Sequence, residues 1–361
     1  MCNPSTENLI EWDCRHHNVE YGADRLTNHT IPALVALDNL GLGNEAVAAW
    51  HSRYSQRLES KTVEKAPPSN LDAKADVASQ LGAARHGSME EVAAWCEGLL
   101  RGGRQHELVE ALHNAMGVEA FHGLILAGWA LRCERPSIRG YGFAYWACSC
   151  RELRSVDRCS GQFAPHQLLE CVATMARHAR LTELARLTDP SFQDRFAKVE
   201  RAFPEEQFDV QLEAAQVADL DSLFGQLKED FAKLFCLAGS RDFFLLHTIT
   251  ATEAMHRVAQ LVHDRTELVV RCVRGLWRHA LVTVVAQGLP TLAEQLPPLE
   301  EETPETLALA VDYDEHLAKL AMMAREARRG SLLQNAYVSS VNAIVVSKKG
   351  FLFNPPLASN L

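Results

Sequence analysis

Four histidines are the residues of this chain whose setting could do chemistry. The sequence holds 15 histidines in 361 residues, and an unpaired imidazole is costly to bury. His29 lies in Leu-Thr-Asn-His-Thr-Ile-Pro-Ala-Leu. There Thr27 or Asn28 can cap a helix, and Pro32 is tolerated in its first turn. His122 lies in Ala-Phe-His-Gly-Leu-Ile-Leu-Ala-Gly-Trp, an apolar helix in which Gly123 and Gly128 permit close backbone approach. His247 lies in the equally apolar Phe-Phe-Leu-Leu-His-Thr-Ile-Thr-Ala. His316 and Lys319 stand three apart in Asp-Glu-His-Leu-Ala-Lys and share a helix face. Taken singly, the first three read as core histidines satisfied by a carbonyl. The fourth reads as part of a solvated helix start, because Asp312, Asp314 and Glu315 favour the positive helix end. Taken together, helical histidines can converge on a metal, as α-bundles build such sites. Neutral imidazole suits iron, copper, zinc or nickel. The spacing is long and holds no compact HExxH motif.

Other motifs carry less. The ten cysteines include no CxxC pair, so a zinc ribbon is not expected and buried apolar roles are. His263-Asp264 is the dipeptide of helical HD phosphohydrolases, but two residues alone specify little. No Gly-x-Ser-x-Gly elbow is present. Gly41 and Gly43 lack the strand–turn–helix setting of a nucleotide fingerprint. Trp129, Tyr141, Phe143, Tyr145 and Trp146 form an aromatic stretch, read either as core or as the wall of a pocket for a flat aromatic substrate. Arg139 and Gly140 are expected in a loop before it.

Helices must position these residues. Residues 88–100 open on Ser88 with Glu91 three positions later, a capping box. Three- and four-residue apolar steps also run through 104–133, 165–188, 209–237, 241–262, 265–287 and 304–329. Residues 278–287 and 337–347 are read as helical too, though strands compete there. Residues 60–72 and 288–304, with their prolines and charges, are expected to be loops. The organisation expected is one large all-α, multi-helical domain over 1–347, with a core metal site between helices, and an irregular tail over 348–361. The net charge of -10 argues against binding nucleic acid or an anionic membrane surface. No apolar run reaches the roughly 18 residues of a membrane span. The N-terminus lacks signal-peptide features, so a cytoplasmic protein is expected.

The segments around the histidines resemble the questin oxidase-like family. Residues 26–58 are similar to its opening: Asn28-His29, a helix ending in Leu40-Gly41, then Trp50 and Tyr54. Phe121-His122-Gly123-Leu124-Ile125, His247-Thr248-Ile249-Thr250 and Asp314-Glu315-His316-Leu317-Ala318-Lys319 resemble its later signatures, in family order. The resemblance implies an all-helical fold and oxidative work on aromatic polyketides, by oxygen insertion or ring cleavage. One branch resembles a non-haem iron enzyme with four histidine ligands and a carboxylated lysine. Carried over, the ligands are His29, His122, His247, His316 and Lys319. The chain departs from the pattern twice. Trp129 stands where many relatives carry a second histidine, and Thr252-Glu253 replaces a frequent proline. Glu253 then reads as an exposed helix glutamate or as a partner orienting a ligand. Trp129, Tyr145 and Trp146 read as substrate-facing residues.

The expectation is therefore an Fe(II) oxygenase that uses O2 on a polycyclic aromatic natural product. Its expected partners are that small molecule and a second copy of the chain. Two other readings fit the same residues. One is a metal-free, NADPH-assisted Baeyer–Villiger-type monooxygenase whose histidines do acid–base work. The other is a non-catalytic helical binding protein. Metal content discriminates them.

Overall fold

The computed structural model describes residues 2–22, 26–61, 70–150, 161–189, 191–298, 302–303, 307–308, 311–312, 314–327 and 331–343. Helices make up 70% of it, and the only sheet among the described residues pairs Glu20–Tyr21 with Leu26–Thr27, antiparallel. The all-α class read from the sequence holds.

Helix Met89–Arg101 shows how sequence becomes element here. Ser88 and Glu91 close the capping box as read. Val92, Trp95, Cys96 and Leu99 recur at helical spacing and are the residues it buries. That face packs on helix Pro136–Ser149. Arg139 and Gly140, expected in a loop, lie inside this second helix. Gly140 sits there because a Cβ would come within 2.6 Å of the Ala93 carbonyl oxygen on the facing helix.

The four helices that carry the histidines lie at the centre. Helix His122–Ala130 is buried at every position. Helix Phe243–Leu261 is buried continuously from Phe243 to His256. A helix that is apolar all round belongs in the core. The His122 helix packs on the His247 helix, and helix Thr30–Asn39 touches both the His122 helix and helix Glu315–Glu326. Helices Leu220–Leu237, Thr266–Ala286 and Leu332–Val341 cover this group from outside. The His122 and His247 helices cross backbone to backbone, since a Cβ on Gly128 would meet Ala254 Cα and O at 2.4 Å.

Several helical segments are shorter than their periodicity. The stretch 104–133 divides into Gln105–Leu112, two 3-10 turns and His122–Ala130. Ala120 (φ 53°) and Phe121 (φ 67°) adopt the left-handed conformation just before His122. Side-chain-bearing residues rarely adopt it, and it costs about 1–3 kcal/mol each, so surrounding packing must hold it. The stretch 165–188 breaks into Leu168–Met175 and Ala179–Leu184 after a 3-10 turn. Of the reading over 337–347, the helix runs to Val341; residues 344–347, like the tail 348–361, lie outside the described residues. Residues 289–298 are irregular, as read, whereas 62–69 lie outside. No described helix is long and apolar enough to cross a membrane.

Candidate metal centre

The four singled-out histidines meet in one place. Ring centroids of His29 lie 4.8 Å from His122, 4.6 Å from His316 and 6.1 Å from His247. His247 lies 4.7 Å from His122 and 5.0 Å from His316. All four are buried, and so is Lys319. The solvated helix start expected around His316 is therefore wrong. The Glu315–Glu326 helix begins inside the core, and its first ten residues are buried.

Each histidine is aimed by its own element. His29 is the N-cap residue of helix Thr30–Asn39. Its backbone N–H donates to the Tyr54 hydroxyl at 2.9 Å. Next to it, the Asn28 amide oxygen accepts from Thr30 N–H at 2.9 Å, while the Asn28 amide nitrogen donates to Asp13 Oδ2 at 2.7 Å. Asp13 is itself buried between His17 and His51, at 2.8 and 3.2 Å. His122 opens its helix straight from the left-handed turn. His247 donates from Nδ1 to the Phe243 carbonyl one turn back, at 2.6 Å. Asp314 caps its helix: Oδ1 accepts from His316 N–H at 2.7 Å and lies 2.8 Å from His316 Nδ1. The Phe243 ring stands against His247 and His316, at 4.2 and 5.0 Å between centroids.

The electrostatics keep three of these rings neutral. Burial holds His29, His247 and His316 well below the ordinary histidine pKa, and the neighbouring imidazoles or the Lys319 ammonium add to it. Burial pushes Lys319 down to about 8, against the opposing pull of Glu315 and Asp314. Burial and the adjacent Glu315 carboxylate raise Asp314. Burial also opposes charge on Glu315, but nearby cations outweigh it and hold that carboxyl below its usual range.

The donor set fits a transition-metal ion. His122 Nε2 and His247 Nε2 are 2.9 Å apart. Two nitrogens each about 2.1 Å from one ion, at right or tetrahedral angles, are separated by roughly 3.0–3.4 Å. Ligand atoms of His29, His122 and His247 lie within 4.8 Å of one another, as do those of His29, Glu315 and His316. Both ring nitrogens of His29 and the Lys319 ammonium nitrogen are buried without a hydrogen-bond partner among the described residues. Buried polar groups are nearly always satisfied. An ion that takes up the inward-facing donors would satisfy them.

The remaining expected residues lie elsewhere. Glu253 is neither exposed nor a partner of a ligand. It is buried among Arg132, Lys228 and Arg257 at 2.5, 2.9 and 2.9 Å. Burial would raise its carboxyl, but these cations outweigh it and hold it at about 2. His247 takes the Phe243 carbonyl as acceptor instead, because a helical imidazole reaches the carbonyl one turn back more readily than a side chain six residues on. Trp129 is buried on the His122 helix, with the Arg132 guanidinium 5.6 Å above its ring. Tyr145 joins Glu20 and Thr27 at 3.1 and 3.2 Å, bracing the strand pair that leads to His29. Trp146 packs behind Gly123, where a Cβ would meet its Cα at 2.8 Å. His263 bonds the Gln260 carbonyl at 2.9 Å and joins no metal-type cluster among the described residues. Sequence reasoning took Asp314 and Glu315 as helix-end charges within a family-like segment, met Tyr54 only as part of such a segment, and did not single out Asp13. Their neighbourhood to the histidines depends on tertiary contact.

The family model described as Questin oxidase-like matches residues 95–323, more than half of the chain. No curated protein matches it.

Proposed function

The chain belongs to the questin oxidase-like family and is thus an oxidoreductase, and from that premise we propose a non-haem iron, O2-dependent oxygenase. Its substrate is a polycyclic aromatic compound of polyketide type, and its reaction is oxidative C–C cleavage or oxygen insertion. The observation that carries the reading is the convergence of four buried histidines on a buried lysine whose nitrogen has no hydrogen-bond partner among the described residues.

His29, His122, His247 and His316 would hold the ion. A bound Fe(II) would supply a site for O2 and for an anionic phenolate oxygen. Lys319 as an ammonium cannot bind a cation. As a neutral amine it can add CO2 and become a carbamate, an anionic oxygen ligand. Burial favours the neutral amine that this needs. Charge supports the same assignment. Loading a divalent ion adds two positive charges, and turning an ammonium into a carbamate removes two. The buried charge is then unchanged, which avoids the large cost of an uncompensated charge in the core. Phe243, tilted against His247 and edge-on to His316, places an apolar ring on that side. A water-excluded setting strengthens each electrostatic contact.

Metal analysis tests the reading. Protein reconstituted with Fe(II) without oxygen is expected to hold one ion per chain, and His122→Ala and His247→Ala to lose it. Wild-type protein that stays metal-free after this treatment would overturn it. A mass gain on Lys319 equal to one CO2, observed under native conditions, checks the carbamate.

A further inference from the structure

The metal reading uses the imidazoles and Lys319, and leaves two buried carboxylates beside them without a role. Asp314 and Glu315 are 0% and 2% exposed. A charge serving only the helix end would sit in solvent at far lower cost. Their positions answer a different need. A neutral imidazole exists as two tautomers, and only the nitrogen without the proton can bind a metal. Which one that is depends on what the other nitrogen meets.

His247 sets the pattern. Its Nδ1 lies 2.6 Å from the Phe243 carbonyl oxygen, which can only accept. Nδ1 therefore carries the proton, and Nε2 presents its lone pair. That Nε2 faces His122 Nε2 at 2.9 Å, inside the cluster. His316 follows the same pattern with a side chain in place of the carbonyl. Asp314 Oδ1 lies 2.8 Å from its Nδ1 and also accepts its backbone N–H at 2.7 Å. Because Oδ1 already accepts the backbone N–H, any proton on the Asp314 carboxyl sits on Oδ2, and Oδ1 is left as an acceptor that requires the proton on Nδ1. Glu315 extends the pattern across to another helix. Its Oε1 lies 3.3 Å from His29 Nδ1 and 3.6 Å from His316 Nδ1. The His29 contact is an ion-pair approach within hydrogen-bond distance but without hydrogen-bond alignment.

We infer that Asp314 and Glu315 are positioning residues that set the Nδ1–H tautomers of His316 and His29, so that both rings offer Nε2 to the centre. Two successive residues thereby orient ligands from two helices. Glu315 lies near enough to His29 to be mistaken for a ligand. Yet a metal at the His29–Glu315–His316 triad would have to take the nitrogen of His316 that Asp314 already holds, or leave Glu315 without its role on His29. The consequence for metal affinity rests on the reading above, whereas the tautomers belong to the metal-free protein.

Long-range 1H–15N correlation spectra of metal-free protein labelled on histidine nitrogen test this. Signals are assigned by their loss in single histidine variants. The expected wild-type result is a proton on Nδ1 of His29, His247 and His316. Asp314→Ala is expected to release His316 to a mixture, and Glu315→Ala to release His29. Asp314→Asn and Glu315→Gln keep an acceptor oxygen and are expected to keep the tautomers. Co(II) affinity, read from its visible absorption, is expected to fall about 10–100-fold in the two alanine variants, as for other outer partners of metal ligands. A wild-type spectrum with Nε2–H on His316 or His29 would overturn the inference, even if the alanine variants do not fold. Alanine variants with unchanged tautomers would overturn it as well. Tautomers as inferred in a wild-type protein that binds no metal would uphold the positioning and remove the metal reading.

Discussion

His122 Nε2 faces His247 Nε2 at 2.9 Å across two helices whose backbones touch at Gly128 and Ala254. The short nitrogen separation and the backbone contact are one geometric fact. The contact sets the helix distance, and the helix distance sets the nitrogens. Gly128→Ala places a Cβ 2.4 Å from backbone atoms that no rotamer change can move. It is expected to lower stability by about 1–3 kcal/mol, as overpacking does. Urea unfolding of the metal-free protein measures this. Metal content at a fixed Fe(II) concentration is expected to fall with it, because the two histidines are driven apart.

Lys319 predicts a pH dependence. Its pKa of about 8 leaves about a tenth of the amine neutral at pH 7, far more than an unperturbed lysine has. Only the neutral amine adds CO2. Metal loading in bicarbonate is therefore expected to rise from pH 7 to 9, and Lys319→Met to abolish the rise. Stability of the metal-free protein carries the same sign. From about 8 to the ordinary value of 10.5 the unfolded chain holds more protons than the folded one, so stability gains with pH through that window. The gain is absent in the variant. Denaturant midpoints of both proteins across this range give the comparison.

Glu253 is predicted to act in folding and not in metal binding. Glu253→Gln leaves Arg132, Lys228 and Arg257 short of a buried anion. It is expected to cost about 3–5 kcal/mol at pH 7. The wild-type carboxyl is depressed to about 2, so its contribution is complete above the ordinary glutamate value of 4.5 and vanishes as pH falls through about 2. The gap between wild type and variant should close in that window. An unchanged metal stoichiometry in folded Glu253→Gln separates this role from ligand orientation.

Asn28 links His29 to a buried polar node. Asn28→Ala removes the acceptor of Thr30 N–H and the donor to Asp13. Loss of a partner by a buried carboxylate costs about 1–3 kcal/mol or more. Tyr54→Phe removes the acceptor of His29 N–H and is the milder change. Both are expected to weaken metal binding in step with the freedom they allow His29. Equilibrium dialysis against Co(II) ranks them, with Asn28→Ala the weaker binder.

Amphipathic spacing alone made most helices legible, as Val92, Trp95, Cys96 and Leu99 illustrate. Where a helix ends was less legible. The break before His122 needs left-handed backbone at Ala120 and Phe121, which neither residue type signals. Packing imposes it there. The same limit applies to Glu253. A charged residue in a helical pattern reads as exposed, and only the three cations brought from other turns and another helix make its burial tolerable.

By itself the sequence determined the all-α class, the apolar settings of His29, His122 and His247, and the family to which the chain is similar. These follow from local patterns and short motifs. Tertiary structure alone decided that four histidines spread over nearly three hundred residues share one centre, that His316 and Lys319 are buried and not solvated, and that Asp314 and Glu315 face imidazoles. The reason is range. Periodicity reports which face of a helix turns inward. Only the packing of one helix on another, here glycine against alanine at Gly128 and Ala254, decides which inward faces meet.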